Sequence, residues 1–308
     1  MSVKNHIQLH SSYAEQRVAL GAEIRGLRKF ASLTGTQLSE KTGISQSKIS
    51  KIENGSLVPS REDITQLCDA LGVSKRQRVA LLDQLALIQT EFSSWRVLLR
   101  NGYARKQVEV ADLESQASEI RLFQMSVVPG LLQTRDYAQR VMALSNVTSQ
   151  VDVAAAVATL LRRQAILQDV SRSFIFLITE QALLSRFCSE KMVLSQLEHL
   201  TKISLRPNVI VGLITDSARL EMIPLTSFGI YDNDLVLVET LTAEISVSDQ
   251  RDIEKYREYF QSLGAAALYG ANARPFLERC RRLLHEMSVE KDRKPKRVLS
   301  GTVGTDYR

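Results

Sequence analysis

Between Gly43 and Asn54-Gly55 the chain carries Gln46, Ser47, Lys48, Ser50 and Lys51, interrupted only by Ile49. Amide, hydroxyl and ammonium groups at this density suit hydrogen bonding to a surface that offers both donors and acceptors. In the major groove of a DNA duplex, glutamine pairs with the adenine edge and lysine with guanine. Ser45 stands just ahead, where free N–H groups at a helix start can receive a phosphate oxygen. Reaction chemistry is harder to find. The chain has no Gly-rich phosphate loop and no GxGxxG after a strand-like run. His6, His10, His199 and His285 have no metal-ligand spacing, and Cys68, Cys188 and Cys280 form no CxxC pair. Glu180, Glu239, Asp216 and Glu221 stand at or near the ends of strand-like runs, where active-site carboxylates gather. A helix cap or a surface charge accounts for each of them as well. The expectation is a protein that is not an enzyme and needs no cofactor or metal.

The polar row depends on the helices around it. Leu20, Ile24, Leu27 and Ala31 recur at helical period, which predicts a first helix from Tyr13 to about Leu33. Thr34 with Gln37 three residues on is a capping-box pattern and opens a second helix that Gly43 ends after two turns. Gln37 is thereby either a capping partner or a DNA contact. Ser45 opens a third helix, on which Ile49 and Ile52 face inward and the polar row faces out; Gly55 supplies its left-handed stop. Ser60 caps a fourth helix closed by Gly72, and Ser74 caps a fifth, Lys75 to about Gln89. Two helices of two turns do not persist alone, so the second and third are held by their neighbours for presentation.

Charge is concentrated in the same place. The 308-residue chain has a net charge of +6, and Arg17–Lys51 holds seven basic residues (Arg17, Arg25, Arg28, Lys29, Lys41, Lys48, Lys51) against Glu23 and Glu40. A local surplus of this kind points to a polyanion. Arg25, Arg28 and Lys29 are phosphate contacts or an ordinary solvated face. Hydrophobic residues make up 44% of the chain, the share of an ordinary globular protein of two domains. The apolar runs around Val151–Leu161 and Phe174–Ile178 fall short of the roughly 20 residues that span a bilayer. The beginning of the chain has no signal-peptide pattern, and three widely spaced cysteines read as reduced thiols, so a cytoplasmic protein without membrane contact is expected.

Residues 91–107, with the single Trp95 and with Arg96, Arg100, Arg105 and Lys106, read as a linker. A helix is predicted from Val108 to about Met125, a turn at Pro129-Gly130, then helices from Thr134 and from about Val151 to Gln168. Ser173–Thr179 and Asn208–Thr215 are short, β-branched and apolar, as parallel strands buried on both faces are; a helix over Glu190–Ser204 lies between them. Further strands are predicted at Ser227–Tyr231, Leu235–Leu241 and Ala243–Val247, with a turn at Asp232-Asn233-Asp234. Helices over about Gln250–Leu268 and Ala273–Met287 follow. Residues 1–12 read as mobile and 288–308 as a disordered basic tail.

Residues Arg17–Leu71, with their basic first helix, the string LSEKTGISQSKISKIENG and the later LCDALGV, resemble the Cro/C1-type (xenobiotic-response-element type) helix-turn-helix family. The resemblance implies a five-helix, lambda-repressor-like DNA-binding domain over 13–90 whose third helix enters the major groove. It places Gln46, Ser47 and Lys51 on bases and Lys48, Ser50 and Asn54 on bases or adjacent phosphates. Ser45 then sits on the backbone and Glu53 bonds within the domain. The family commonly has Gln directly after a Thr in the first turn of helix 2. Here that place holds Gly35, which leaves Thr36 or Gln37 as the substitute contact.

The remainder, from Trp95 through LESQASEIRLF, VVPGLLQTRDYA (Val127–Ala138), ITEQALLSRF, QLEHL and LVLVET, resembles the C-terminal region of WhiJ-like regulators of actinobacteria. That implies an antitoxin-like regulator acting with a small partner protein. From the residues alone, Leu131, Leu132 and Tyr137 of the Pro-Gly string are core or a groove edge. Trp95 is a junction-packing residue or a binding platform. The expected fold is mainly α, with an α/β region over 108–287 carrying a small sheet. The expected function is transcriptional regulation from double-stranded, palindromic DNA by a homodimer. A small-molecule sensor with a pocket in the C-terminal region is the alternative, as is a protein-binding module with DNA contact secondary.

Overall fold

Four hydroxyls start four consecutive helices in the first third of the computed structural model, which describes residues 13–95, 103–145 and 152–293. Thr34, Ser45, Ser60 and Ser74 each accept a hydrogen bond from the backbone three residues on, and Gln37, Asp63 and Gln77 close three capping boxes. The elements are α1 (Tyr13–Phe30), α2 (Gly35–Thr42), α3 (Gln46–Glu53), α4 (Arg61–Leu71) and α5 (Lys75–Gln89). α1 ends three residues earlier than its periodicity predicts. Ser32 turns into the left-handed region (φ 56°), and the N–H groups of Ser32 and Leu33 take up the last carbonyls of the helix. Leu20, Ile24, Leu38, Ile49, Ile52 and Ile64 form the centre of this domain's core, each at most 2% exposed.

Beyond α5 the described elements are β1 (Thr90–Ser94), α6 (Tyr103–Gln116), β2 (Glu119–Gln124), a 3-10 turn at Gly130–Leu132, α7 (Arg135–Leu144) and α8 (Val153–Arg163). A second 3-10 turn (Gln164–Gln168) leads to β3 (Ser173–Thr179), α9 (Glu180–Leu184), α10 (Glu190–Ile203) and β4 (Val209–Ile214). β5 (Phe228–Tyr231), β6 (Leu235–Glu239), β7 (Ala243–Val247), α11 (Gln250–Ala265), β8 (Leu268–Tyr269) and α12 (Gly270–Arg293) complete the order. The chain divides into two units, Met1–Leu98 with Asn233–Arg257 and Leu99–Asp232 with Glu258–Arg308.

In the first unit an antiparallel ribbon of order β1-β7-β6 accompanies the five helices; β1 and β7 pair from Thr90↔Val247 to Ser94↔Ala243. Residues 91–94 are therefore strand rather than linker, and Trp95, half-buried, donates its ring N–H to the Thr240 carbonyl at 2.8 Å. In the second unit β2, β3 and β4 run parallel, with β5 antiparallel beside β2 and β8 beside β4. β3 and β4 are the two apolar runs read from the sequence. β2 was expected to prolong a helix from Val108; instead that helix, α6, ends at Gln116, and Ile120 and Phe123 are fully buried between β3 and β5. Asp232, at φ 51°, accepts from the N–H groups of Ser118 and Glu119 and fixes the start of β2.

The Pro-Gly string is core. Leu131 and Leu132 are fully buried and Tyr137 is 2% exposed, its hydroxyl accepting from Val128 N–H. Three glutamine amides hold the surrounding backbone: Gln133 to the Val128 carbonyl, Gln164 to those of Gly130 and Gln133, and Gln196 to that of Leu132. α12 continues through residues 288–293, which were read as tail; 1–12, Arg96, Arg100 and 294–308 lie outside the described residues.

Candidate nucleic-acid interface

α3 is eight residues long and is held on three sides. Ile49 and Ile52, at 2% and 1% exposure, anchor it in the core. On the α1 side a Cβ on Gly21 would lie 2.4 Å from the Ile52 carbonyl oxygen and 2.8 Å from that of Glu53, so only glycine lets the two backbones approach this closely. At the far end Gly55 adopts φ 69° with its Cα side against Val18 backbone. Gly21 was not among the residues singled out from the sequence. Its signal was there, a lone glycine inside an amphipathic helix, which marks a close packing contact.

Two ion-pair systems complete the support. Glu53 accepts from Arg28 Nε at 2.6 Å, from Arg28 Nη2 at 2.8 Å and from Arg25 Nε at 3.2 Å. Arg28 also donates to the Leu33 carbonyl, and Arg25 to the Asn54 side-chain oxygen. Burial alone would raise the Glu53 carboxyl, but the hydrogen bonds and charges of the two arginines outweigh it and hold the group below its usual range. The same bonds raise the Arg28 guanidinium. Arg28, read from the sequence as a phosphate contact or a solvated charge, is instead 15% exposed and turned into the domain. On the other side Lys48 Nζ meets Asp63 Oδ1 at 2.7 Å.

The polar row of α3 is exposed in part. Ser45, Gln46, Ser47, Lys51 and Asn54 are exposed and Ser50 and Lys48 are half-buried. Helical geometry aligns Ser47, Lys51 and Asn54 in one line and Gln46 and Ser50 in the next. The Ser45 hydroxyl is occupied in capping, accepting from Lys48 N–H. Gln37 serves the capping box through its Oε1, which accepts from Thr34 N–H at 2.8 Å. Gly35 lies under the Gln46 side chain, whose amide nitrogen is 3.7 Å from where a Cβ would be. Among the described residues Lys29, Lys41 and Lys51 form no ion pair. The arrangement offers amide, hydroxyl and ammonium groups on a braced helix, with no nucleophile beside a base.

Elsewhere, Glu180 is 5% exposed and its carboxylate is taken by Arg279 at 2.6 Å and by Asp216 N–H at 3.0 Å, an internal tie between α9, α12 and the end of β4. Among the described residues no group of three or more His, Cys, Asp and Glu could hold a metal ion, no helix is long and apolar enough to cross a membrane, and the three cysteines are unpaired. A groove of about 180 Å³ lies among α10, β4 and α12, lined by Leu200, Leu205, Val211, Leu213, Arg274 and Leu277.

Two family models match the chain. One described as a helix-turn-helix domain covers residues 19–82, and one described as a domain of unknown function (DUF5753) covers 107–279. No curated protein matches it. Among solved structures, NucT from Helicobacter pylori is 12% identical with a TM-score of 0.33, over 59% of this chain and 98% of that one. Nuc from Salmonella typhimurium, a phospholipase D family member, is 12% identical at 0.32, over 59% and 97%. TrmBL2, an archaeal chromatin protein, is 12% identical at 0.31, over 67% and 66%. Scores this low carry no weight for fold or chemistry.

Proposed function

The chain belongs to the DUF5753 family and carries a helix-turn-helix domain ahead of that region; on that premise we propose that it is a sequence-specific transcriptional regulator that reads DNA with α3. The observation that carries the reading is the row of exposed Gln46, Ser47 and Lys51 with half-buried Ser50, on a helix whose other faces are pinned by Ile49, Ile52 and Gly21. A pinned helix presents its side chains without paying to order them, which is what base reading demands. Asn54 and Ser45 sit at its two ends, where the phosphate backbone would pass. One such helix contacts too few bases for tight binding, so a homodimer on a palindromic site, with half-sites about 34–36 Å apart, is the arrangement we favour. The C-terminal region is then the place for dimerisation and for a small partner protein, as in an antitoxin-like regulator of the cytoplasm. Small-molecule sensing in the C-terminal region is the second reading, and the groove among α10, β4 and α12 is smaller than the roughly 300 Å³ of a typical ligand pocket. No catalytic role is assigned.

The test is Gln46→Ala combined with Lys51→Ala, assayed on a duplex selected from a random pool by the unaltered protein. Each bidentate base contact contributes about 1–3 kcal/mol, so the pair of changes should lower affinity by roughly 30-fold or more. Both side chains are exposed, so the melting temperature should hold. Undiminished binding by the double variant would overturn the reading.

A further inference from the structure

Lys48 is the one basic residue of α3's first turn, beside Gln46 and Ser47, yet its charge is already spoken for. Its Nζ lies 2.7 Å from Asp63 Oδ1. Asp63 cannot follow it outward: its side chain is 7% exposed, and its second oxygen accepts from Ser60 N–H at 2.8 Å in the capping box that opens α4. Both carboxylate oxygens are therefore engaged and the acceptor is fixed to the scaffold. The Lys48 side chain is 42% exposed, and an ion pair this open to water contributes little to stability. Its electrostatic effect on the outer face of α3 is larger in proportion, since one full positive charge is taken out of a short helix.

We infer that Asp63 is a positioning residue for DNA binding: it holds the Lys48 ammonium back from the duplex, so that Lys48 adds no contact to the phosphate backbone. The inference rests on the DNA-binding reading given above. Gln46, Ser47, Ser50 and Lys51 are then left as the groups of α3 that meet the duplex, and the sequence-independent attraction is kept low. A lysine released onto a phosphate would displace counterions, steepening the fall of log affinity with log salt by about 0.9.

The experiment measures binding of the full chain to a short random-sequence duplex across a salt series. Asp63→Asn retains an oxygen for Ser60 N–H while cancelling the charge, and it should bind more tightly at low salt with a slope steeper by about 0.9. Asp63→Asn with Lys48→Met should return to the original slope, and Lys48→Met alone should leave the slope unchanged. That last variant keeps the acidic cap and answers the question even if Asp63→Asn unfolds. A slope that flattens by about 0.9 in Lys48→Met, or one that does not move in a folded Asp63→Asn, overturns the role of Asp63. Failure of the unaltered protein to bind any duplex overturns the DNA-binding reading itself, a result distinct from either.

Discussion

Glu53 accepts from two arginines of α1 while its own side chain is 4% exposed, and this carboxylate joins the reading helix to the rest of its domain. Removing one partner of a buried ion pair strands the other charges, at a cost of about 3–5 kcal/mol for a fully buried pair. Arg25 is 43% exposed, which places Glu53→Gln toward the lower end, about 3 kcal/mol, measured by urea unfolding at neutral pH. The same residue confers acid sensitivity. Its folded-state carboxyl sits below the usual 4.5, so its stabilisation is complete above that value and is lost as pH falls through the lower folded one. Asp63, where burial is outweighed by bonds from Lys48 and Ser60, adds to the loss as pH falls through its own lowered value. Glu53→Gln should therefore destabilise at neutral pH and lose less on acidification than the unaltered protein. Parallel stability curves from neutral to acid pH would show that the carboxylate is not linked to folding in this way. Glu114 behaves oppositely, since burial beneath α8 raises its carboxyl to about 7 against the pull of Arg163.

At the scale of elements, the angle of α3 depends on an empty place in α1. Gly21→Ala would set a methyl carbon within van der Waals conflict of two backbone carbonyls, which cannot swing aside as a side chain can. Overpacking of this kind costs about 1–3 kcal/mol. Because the displaced groups belong to α3, DNA affinity should fall further than the lost stability explains, read as weaker binding by the fraction that remains folded. A variant that is less stable but binds fully would separate the contact from presentation. Most of this domain was legible in the sequence, because hydroxyl caps, left-handed glycines and helical periodicity are local signals. Thr34, Ser45, Ser60 and Ser74 start their helices where their side chains say they should. Apart from Gly21 and the early end of α1, the losses were nonlocal. β2 carries Glu119, Arg121 and Gln124 among its apolar residues and becomes a central strand only through β3 and β5. β1 exists by pairing with a segment some 150 residues away. The pairs Arg28–Glu53 and Lys48–Asp63 join residues on different helices, so no spacing rule could have withdrawn Arg28 and Lys48 from the exposed set.

For the whole molecule, those pairs change what its charge can do. The sequence places seven basic residues in Arg17–Lys51, and counting each as a phosphate contact would give a salt slope near −6 for one domain. Arg25 and Arg28 are bonded to Glu53, and Lys48 to Asp63. Arg17 is half-buried with its Nε enclosed, which leaves Lys29, Lys41 and Lys51 as the lysines of this segment without an ion pair among the described residues. Three contacts correspond to a slope of about −2.7 per domain, and two domains on a palindromic site to about −5.4. Sedimentation of the complex fixes the number of chains, and a salt titration on the selected duplex then gives the slope for each. A slope near −3 per chain is the expected outcome. One near −6 per chain would mean that the duplex draws the arginines and Lys48 out of their pairs, and that the braces of α3 open when DNA arrives. A flat titration would remove phosphate contact from the account altogether, since neutralised phosphates must release their counterions.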